Sequence, residues 1–132
     1  MGVHFASAST KTFIGPLPAN ATETVCYTTP PINLPVDFAA VLLLWFIMLT
    51  AGTSTTQLIF RIRRGVDITG AQVGAQDWIT QQFTAGQKVL YSGSYVDLPG
   101  AVSNQQYSLN VVETGATVAG TVTEGSFLAY VL

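Results

Sequence analysis

Ionised side chains are scarce in this chain. Of its 132 residues, five are Lys or Arg and seven are Asp or Glu, so charged residues make up 9%, against roughly 25% in an ordinary soluble domain. There is one cysteine and one histidine. Each shortage excludes something. Cys26 alone can close no disulfide within the chain and build no CxxC metal knuckle. His4 alone excludes any site that needs two imidazoles. A formal net charge of −2 lacks the basic excess of a nucleic-acid binder, so no nucleic-acid partner is expected. The first residues have neither the basic start nor the apolar stretch of a secretory signal, and Ala6 stands where N-myristoylation after Gly2 expects Ser or Thr. Without such a signal, the sequon Asn20-Ala21-Thr22 reads as a polar turn after Pro18. The most hydrophobic run, from Ala39 to Ala51, is shorter than the roughly 20 residues of a membrane helix, so no membrane span is expected.

What the chain does have is apolar surface. Hydrophobic residues make up 48% and the mean hydropathy is +0.42. A folded monomer of 14.0 kDa exposes on the order of 6,700 Å², and a conventional surface carries about 25–35% charged residues. Twelve charged residues cannot supply that. Thr, Ser, Gln, Asn and Gly must carry much of the surface, and a partner must cover some of the rest. The composition therefore predicts an oligomer or a subunit of a larger assembly.

Residues 1–20 read as an extended arm that ends in the Pro-rich bend Gly15-Pro16-Leu17-Pro18. Such an arm can lie on a neighbouring subunit or form a first edge strand. Residues 21–132 read as one domain. Strands are predicted at Thr22–Thr29, Phe38–Thr50, Gln57–Arg64, Asp77–Thr84, Lys88–Val96, Gln105–Glu113, Ala116–Thr123 and Ser126–Leu132, with a short one among the glycines of 66–74. The long apolar run and the following LIFRIRRG have a hairpin pattern. Gly93 marks a bulge or a close approach, and Asp97-Leu98-Pro99-Gly100 a turn. No helical period of useful length appears. The fold class is all-β, a single antiparallel sandwich of about eight strands, jelly-roll-like, with an extended N-terminal arm.

Strand alternation sorts the faces. In Gln57–Arg64, Leu58, Phe60 and Ile62 point one way, and Ile59, Arg61 and Arg63 the other. In the last strand Phe127, Ala129 and Val131 oppose Leu128, Tyr130 and Leu132. Both faces of that strand are apolar, yet a core can take only one. Trp45, Ile47 and Leu49 suggest the same surplus in the long strand. Neighbouring copies are expected to cover the excess, the alternative being a loop or the N-terminal arm of the same chain, and Ile59, Arg61, Arg63, Leu128, Tyr130 and Leu132 are the predicted subunit-interface residues.

Catalytic signatures are absent. His4 sits in the arm, far from any expected nucleophile. Cys26 lies between Val25 and Tyr27 and reads as a buried, inert thiol. The acidic residues fall mostly at strand ends and form no dyad or Ca²⁺ loop by spacing. No cofactor or metal is expected, and the chain is read as a non-enzyme. Arg61, Arg63 and Arg64 are the one basic cluster, better suited to carboxylate pairing than to phosphate, with Asp67 close by in sequence. Trp78, Tyr91 and Tyr95 could form a glycan-binding surface.

The segments LIFRIRRGVDITGAQVG, YVDLPGAVSNQQYSLNVVETGA and FLAYVL resemble small β-sandwich proteins of virus particles, bacteriophages above all, of the jelly-roll class that includes tumour-necrosis-factor and C1q heads. The resemblance spans roughly residues 36–132. It implies a homotrimer with the C-terminal strand near the axis, serving as a capsid decoration, minor capsid or fibre-head protein. The expected partners are further copies of the chain and the major capsid protein or other virion proteins, and in the fibre-head alternative a host-surface glycan or receptor. The expected location is the capsid surface, after assembly in the host cytoplasm. Phe5, Phe13 and Ile14 are the expected capsid contacts of the arm.

Overall fold

A computed structural model describes residues 4–5, 10–11, 15–17, 22–34, 40–54, 57–75, 78–79, 83–116 and 118–132. In chain order they form β1 (His4–Phe5), β2 (Thr10–Lys11), β3 (Gly15–Pro16), β4 (Thr24–Thr28), β5 (Ile32–Leu34), β6 (Val41–Thr50), β7 (Gln57–Arg64), β8 (Trp78–Ile79), β9 (Lys88–Asp97), β10 (Val102–Gln105), β11 (Tyr107–Thr114) and β12 (Thr121–Val131). One 3-10 turn, Val73–Ala75, lies between β7 and β8. No helix among these residues is long and apolar enough to cross a membrane.

The strands make two facing sheets and a small ribbon. The first sheet runs β1-β12-β6-β9, with β3 also on β12; the second runs β2-β4-β11-β7-β8; β10 and β5 pair separately. Every pairing is antiparallel. This is an all-β sandwich of jelly-roll type. The described parts of the arm supply edge strands to both sheets: β1 and β3 to β12, and β2 to β4.

Strand β6 shows how the sequence builds the core. Its ten residues, VLLLWFIMLT, alternate strictly between buried and half-buried. Val41, Leu43, Trp45, Ile47 and Leu49 point inward, and each is at most 5% exposed. Leu42, Leu44, Phe46, Met48 and Thr50 point outward. The expectation that Trp45, Ile47 and Leu49 await a neighbour is therefore corrected: the chain's own core takes them, and the other half of the strand is the surplus. From the second sheet, Leu58, Phe60 and Ile62 of β7 and Tyr107, Leu109 and Val111 of β11 meet them, all fully buried. Phe60 stacks on Tyr91 across the two sheets, with ring centroids 4.1 Å apart and planes 9° apart. Cys26 is buried in this core, and burial pushes its thiol pKa up to about 12, so it is a packing residue at neutral pH.

Several sequence expectations need correction. β6 and β7 do not form a hairpin, because the chain crosses from one sheet to the other between them. The strands expected at Ala116–Thr123 and Ser126–Leu132 are one strand, β12. Glu124-Gly125, read as a turn, is a bulge: the register shifts between Val122 and Glu124 while pairing to β6 continues on both sides. Ten-residue β6 offers an unbroken ladder, so a local bulge replaces a reversal. Residues 66–74 form no strand beyond a single bridge from Gln72 to Arg63. The ribbon of β5 and β10 was not foreseen, since Leu34 and Val102 lie in segments that read as connections.

Gly93 is a close approach and not a bulge. The β6–β9 ladder is unbroken from Val41↔Asp97 to Thr50↔Lys88 and sets Gly93 directly against Trp45. A β-carbon there would come within 2.5 Å of the Trp45 ring. Gly93→Ala is expected to cost about 1–3 kcal/mol of stability by overpacking and to alter the near-ultraviolet circular dichroism. A variant with wild-type melting and an unchanged aromatic spectrum would refute this account of the contact.

Candidate assembly surfaces

The outer faces of the two sheets differ in chemistry. On the outer face of the second sheet, Ile59, Arg61 and Arg63 alternate outward from β7, all half-buried. Glu23, just before β4, reaches both arginines. Its carboxylate accepts from Arg61 Nη1 at 2.8 Å, from Arg63 Nε at 2.6 Å and Nη2 at 2.9 Å, and from Asn110 Nδ2 at 2.6 Å. Arg63 also donates from Nη1 to the Gly70 carbonyl at 2.9 Å. The side chain of Glu23 is only 8% exposed. Burial alone would raise its pKa, but the hydrogen bonds from Arg63, Arg61 and Asn110 outweigh burial and hold the carboxyl down to about 2. Two of the predicted interface residues thus have a carboxylate partner in their own chain. Sequence spacing could not find it, because Glu23 lies 38 and 40 residues away.

Arg64 goes elsewhere. Its Nε and Nη2 form a bidentate pair with Asp97 at 2.9 and 2.7 Å, and the Tyr107 hydroxyl donates to the same carboxylate at 2.9 Å. Asp97 ends β9 in one sheet, while Arg64 and Tyr107 belong to β7 and β11 in the other, so this cluster ties the sheets together at one end. It joins the R-I-R-R-G strand end, the D-x-P-G turn and the Y-x-L-x-V strand. Burial, with the negative charge of Asp97, drives the Tyr107 pKa well above that of a free phenol. Asp67, expected beside the arginines, instead accepts from the backbone N–H and hydroxyl of Thr69. At the opposite end Glu113, 1% exposed, accepts from the N–H groups of Gly52 at 3.2 Å and Gly120 at 2.7 Å. Among the described residues, six charged side chains, Glu23, Arg61, Arg63, Arg64, Asp97 and Glu113, are therefore committed to buried or half-buried contacts within the chain.

The outer face of the first sheet is apolar. Its central row is Leu42, Leu44, Phe46 and Met48 of β6. Leu128 and Tyr130 of β12 stand beside Leu44 and Leu42, half-buried as alternation predicts. On the other flank β9 sets Val96, Ser94, Ser92 and Leu90 beside Leu42, Leu44, Phe46 and Met48. Phe46 has Ser126 on one side and Ser92 on the other, so neither cross-strand neighbour covers its ring. The result is a shallow depression of about 450 Å³, lined chiefly by Leu44, Phe46, Ser92, Ser94, Ser126 and Leu128. Leu132 follows β12 and is 46% exposed. Sequence reasoning selected Leu128 and Tyr130 but missed Leu42, Leu44, Phe46 and Met48. The signal was available in the alternation of 41–50, but both halves of that strand are equally apolar, so periodicity could not say which half faces out.

Phe5 lies in β1, paired in register with Tyr130; Phe13 and Ile14 lie outside the described residues. Tyr91, expected on a glycan-binding surface, is packed inside against Phe60 and Trp45. Tyr95 is 36% exposed. Among the described residues no group of three or more His, Cys, Asp or Glu is placed to hold a metal ion.

No protein-family model and no curated protein matches the chain. Solved structures do. The particle of the infectious bursal disease virus Gx strain is similar with a TM-score of 0.58 at 13% identity, over 98% of this chain and 31% of that one. A mutant VP2 protein of the same virus in T=1 particles gives 0.58 at 13%, over 98% and 31%. The VP2 subviral particle gives 0.53 at 13%, over 99% and 32%. This chain spans about a third of the length of those proteins. At such identity the likeness establishes the sandwich fold.

The Glu23 cluster makes stability depend on pH. The folded pKa lies below the ordinary value of 4.5, so the stabilisation is complete above that pH and is lost as the pH falls from 4.5 toward 2. The loss is expected to be about 2–3 kcal/mol. Denaturant melts at pH 5 and pH 2.5 measure it, and Glu23→Gln should be less stable at pH 7 and should flatten the dependence by that amount. Equal slopes in the two proteins would show that Glu23 is not the group responsible.

Proposed function

We propose that this chain is a non-enzymatic structural protein of a virus particle, a homotrimer that stabilises a bacteriophage capsid as a decoration or cement protein or as a minor capsid protein. The observation that carries the reading is the combination of a jelly-roll sandwich with an outer sheet face that has a central row of four apolar residues and no charge in that row. Similarity over nearly the whole chain to part of a particle-forming virus protein supports it.

The mechanism is burial. Apolar sheet faces pack between copies, with Leu128, Tyr130 and Leu132 at the contact and Ile59, Arg61 and Arg63 at its other candidate surface. The arm carries contacts to the major capsid protein or other virion proteins through Phe5, Phe13 and Ile14, and many weak contacts add through multivalency. The chain resides on the capsid surface of the virion, after assembly in the host cytoplasm. It needs no cofactor. The alternative, a fibre head that binds a host glycan or receptor, must rely on Tyr95 and Trp78, because Tyr91 is internal.

Electron microscopy of the source particle tests the proposal, with density for this sandwich expected at repeated positions on the shell. Deleting residues 1–15 should weaken attachment more than it harms folding, read as particle-bound protein after sedimentation alongside the melting temperature of the free variant. Normal decoration by the truncated protein would remove the arm from the mechanism. Absence of the protein from the particle, together with host-cell binding by the free protein, would favour the fibre-head reading.

A further inference from the structure

The apolar outer face of the first sheet also carries charge, in an arrangement that points to its occupant. Two charged residues of the described chain lie on it, both exposed and both near one end. Lys88 stands on the β9 flank, paired in register with Thr50, and Glu124 on the β12 flank, paired with Met48. They have opposite signs, sit on opposite sides of β6 and differ by two residues in height, about 7 Å. One strand, β6, lies between them, and neither has an ion-pair partner among the described residues.

The flanks also differ in bulk. The β9 flank is low in the middle, at Ser92, Gly93 and Ser94, while the β12 flank is high at Leu128 and Tyr130. A surface with a small, positive side and a large, negative side matches a rotated copy of itself. Rotation about an axis parallel to β6 preserves height and sets the β9 flank of one copy against the β12 flank of the next. Lys88 of one copy then lies on the same side as Glu124 of the next, offset by those two residues along the strand, a gap the two extended side chains can span, and Ser94 faces Leu128 at the same height.

We infer that a second copy of this chain occupies this face, with copies related by an axis parallel to β6 and joined by a Lys88–Glu124 ion pair between subunits at the rim of an apolar contact built on Phe46 and Leu44. The inference deepens the proposed assembly role and rests on the self-association within it. Three strands and eight residues per strand give a flat footprint of about 400 Å², half of the roughly 800 Å² per partner of a standard interface, so this face forms the centre of the contact and the flanking exposed residues Leu90, Val96 and Leu132 extend it. The six charges committed to internal contacts leave the remaining surface poorer in charge than the composition suggests, so an apolar face of this size favours a partner equally free of charge. The face itself is such a partner.

Sedimentation over a dilution series tests the arrangement. Lys88→Glu and Glu124→Lys should each weaken self-association roughly tenfold through like-charge contact, and the double variant should recover to within about threefold of wild type. Phe46→Ser, on the same face but uncharged, should weaken it roughly thirtyfold or more. Thr123→Lys, a charge of the same sign as Lys88 added at an exposed site beside Glu124, should likewise weaken it and should be partly rescued by Lys88→Glu. Lys88, Glu124 and Thr123 are exposed, so circular dichroism should show all these charge variants folded. Wild-type protein that associates while all the face variants associate equally well would overturn the inference and leave the assembly role standing. A double variant no stronger than the single ones would overturn the axis. Wild-type protein that stays monomeric at millimolar concentration would sink the self-association itself and the inference with it.

Discussion

Strand β6 is apolar on both faces, and a two-sheet sandwich can bury only one of them. That constraint organises the molecule. The inward half, Val41 through Leu49 at alternate positions, fixes the centre of the first sheet, and Phe60 and Tyr91 lock the second sheet over it by stacking. Every further strand of the first sheet is placed by pairing with β6 directly or through β12. The outward half, Leu42 through Met48, lacks any counterpart in the described chain, and the proposed contact between copies follows from it.

The few charges serve the same architecture. Arg64, Asp97 and Tyr107 join the sheets at one end, and Glu113 gathers the backbone N–H groups of Gly52 and Gly120 at the other. A buried carboxylate that accepts several hydrogen bonds from fixed donors tolerates desolvation, and at Gly120 the approach is so close that a β-carbon would lie 2.5 Å from the Thr50 carbonyl oxygen. Glu23 holds Arg61 and Arg63 against the outer face of the second sheet. That network makes the second sheet polar outside and leaves the first sheet as the apolar surface, so the two candidate assembly surfaces differ in chemistry.

Periodicity in the sequence carried most of the strand reading because alternation follows directly from strand geometry. It worked best where polarity alternates, as in β7, where the arginines and the core residues separate cleanly and the strand bounds agree. It failed where pairing is decided by partners distant in the chain. The bulge at Glu124 and the ribbon of β5 and β10 have local residues compatible with turns, and only the ladder available from a neighbouring strand makes them strands. The same limit applies to the surface residues: Arg61 and Arg63 were legible as an outward pair, but Glu23 as their partner was not.

By itself, the sequence determined an all-β chain, a buried Cys26 and a shortage of charge, because these depend on residue type and local period; at Gly93 it marked a special position, and the register against Trp45 decided for a close approach over a bulge. Tertiary structure alone decided which half of β6 faces out, which carboxylate each arginine meets, and that Lys88 and Glu124 share one face. Those facts depend on sheet membership and register, and contacts between residues tens of positions apart set both.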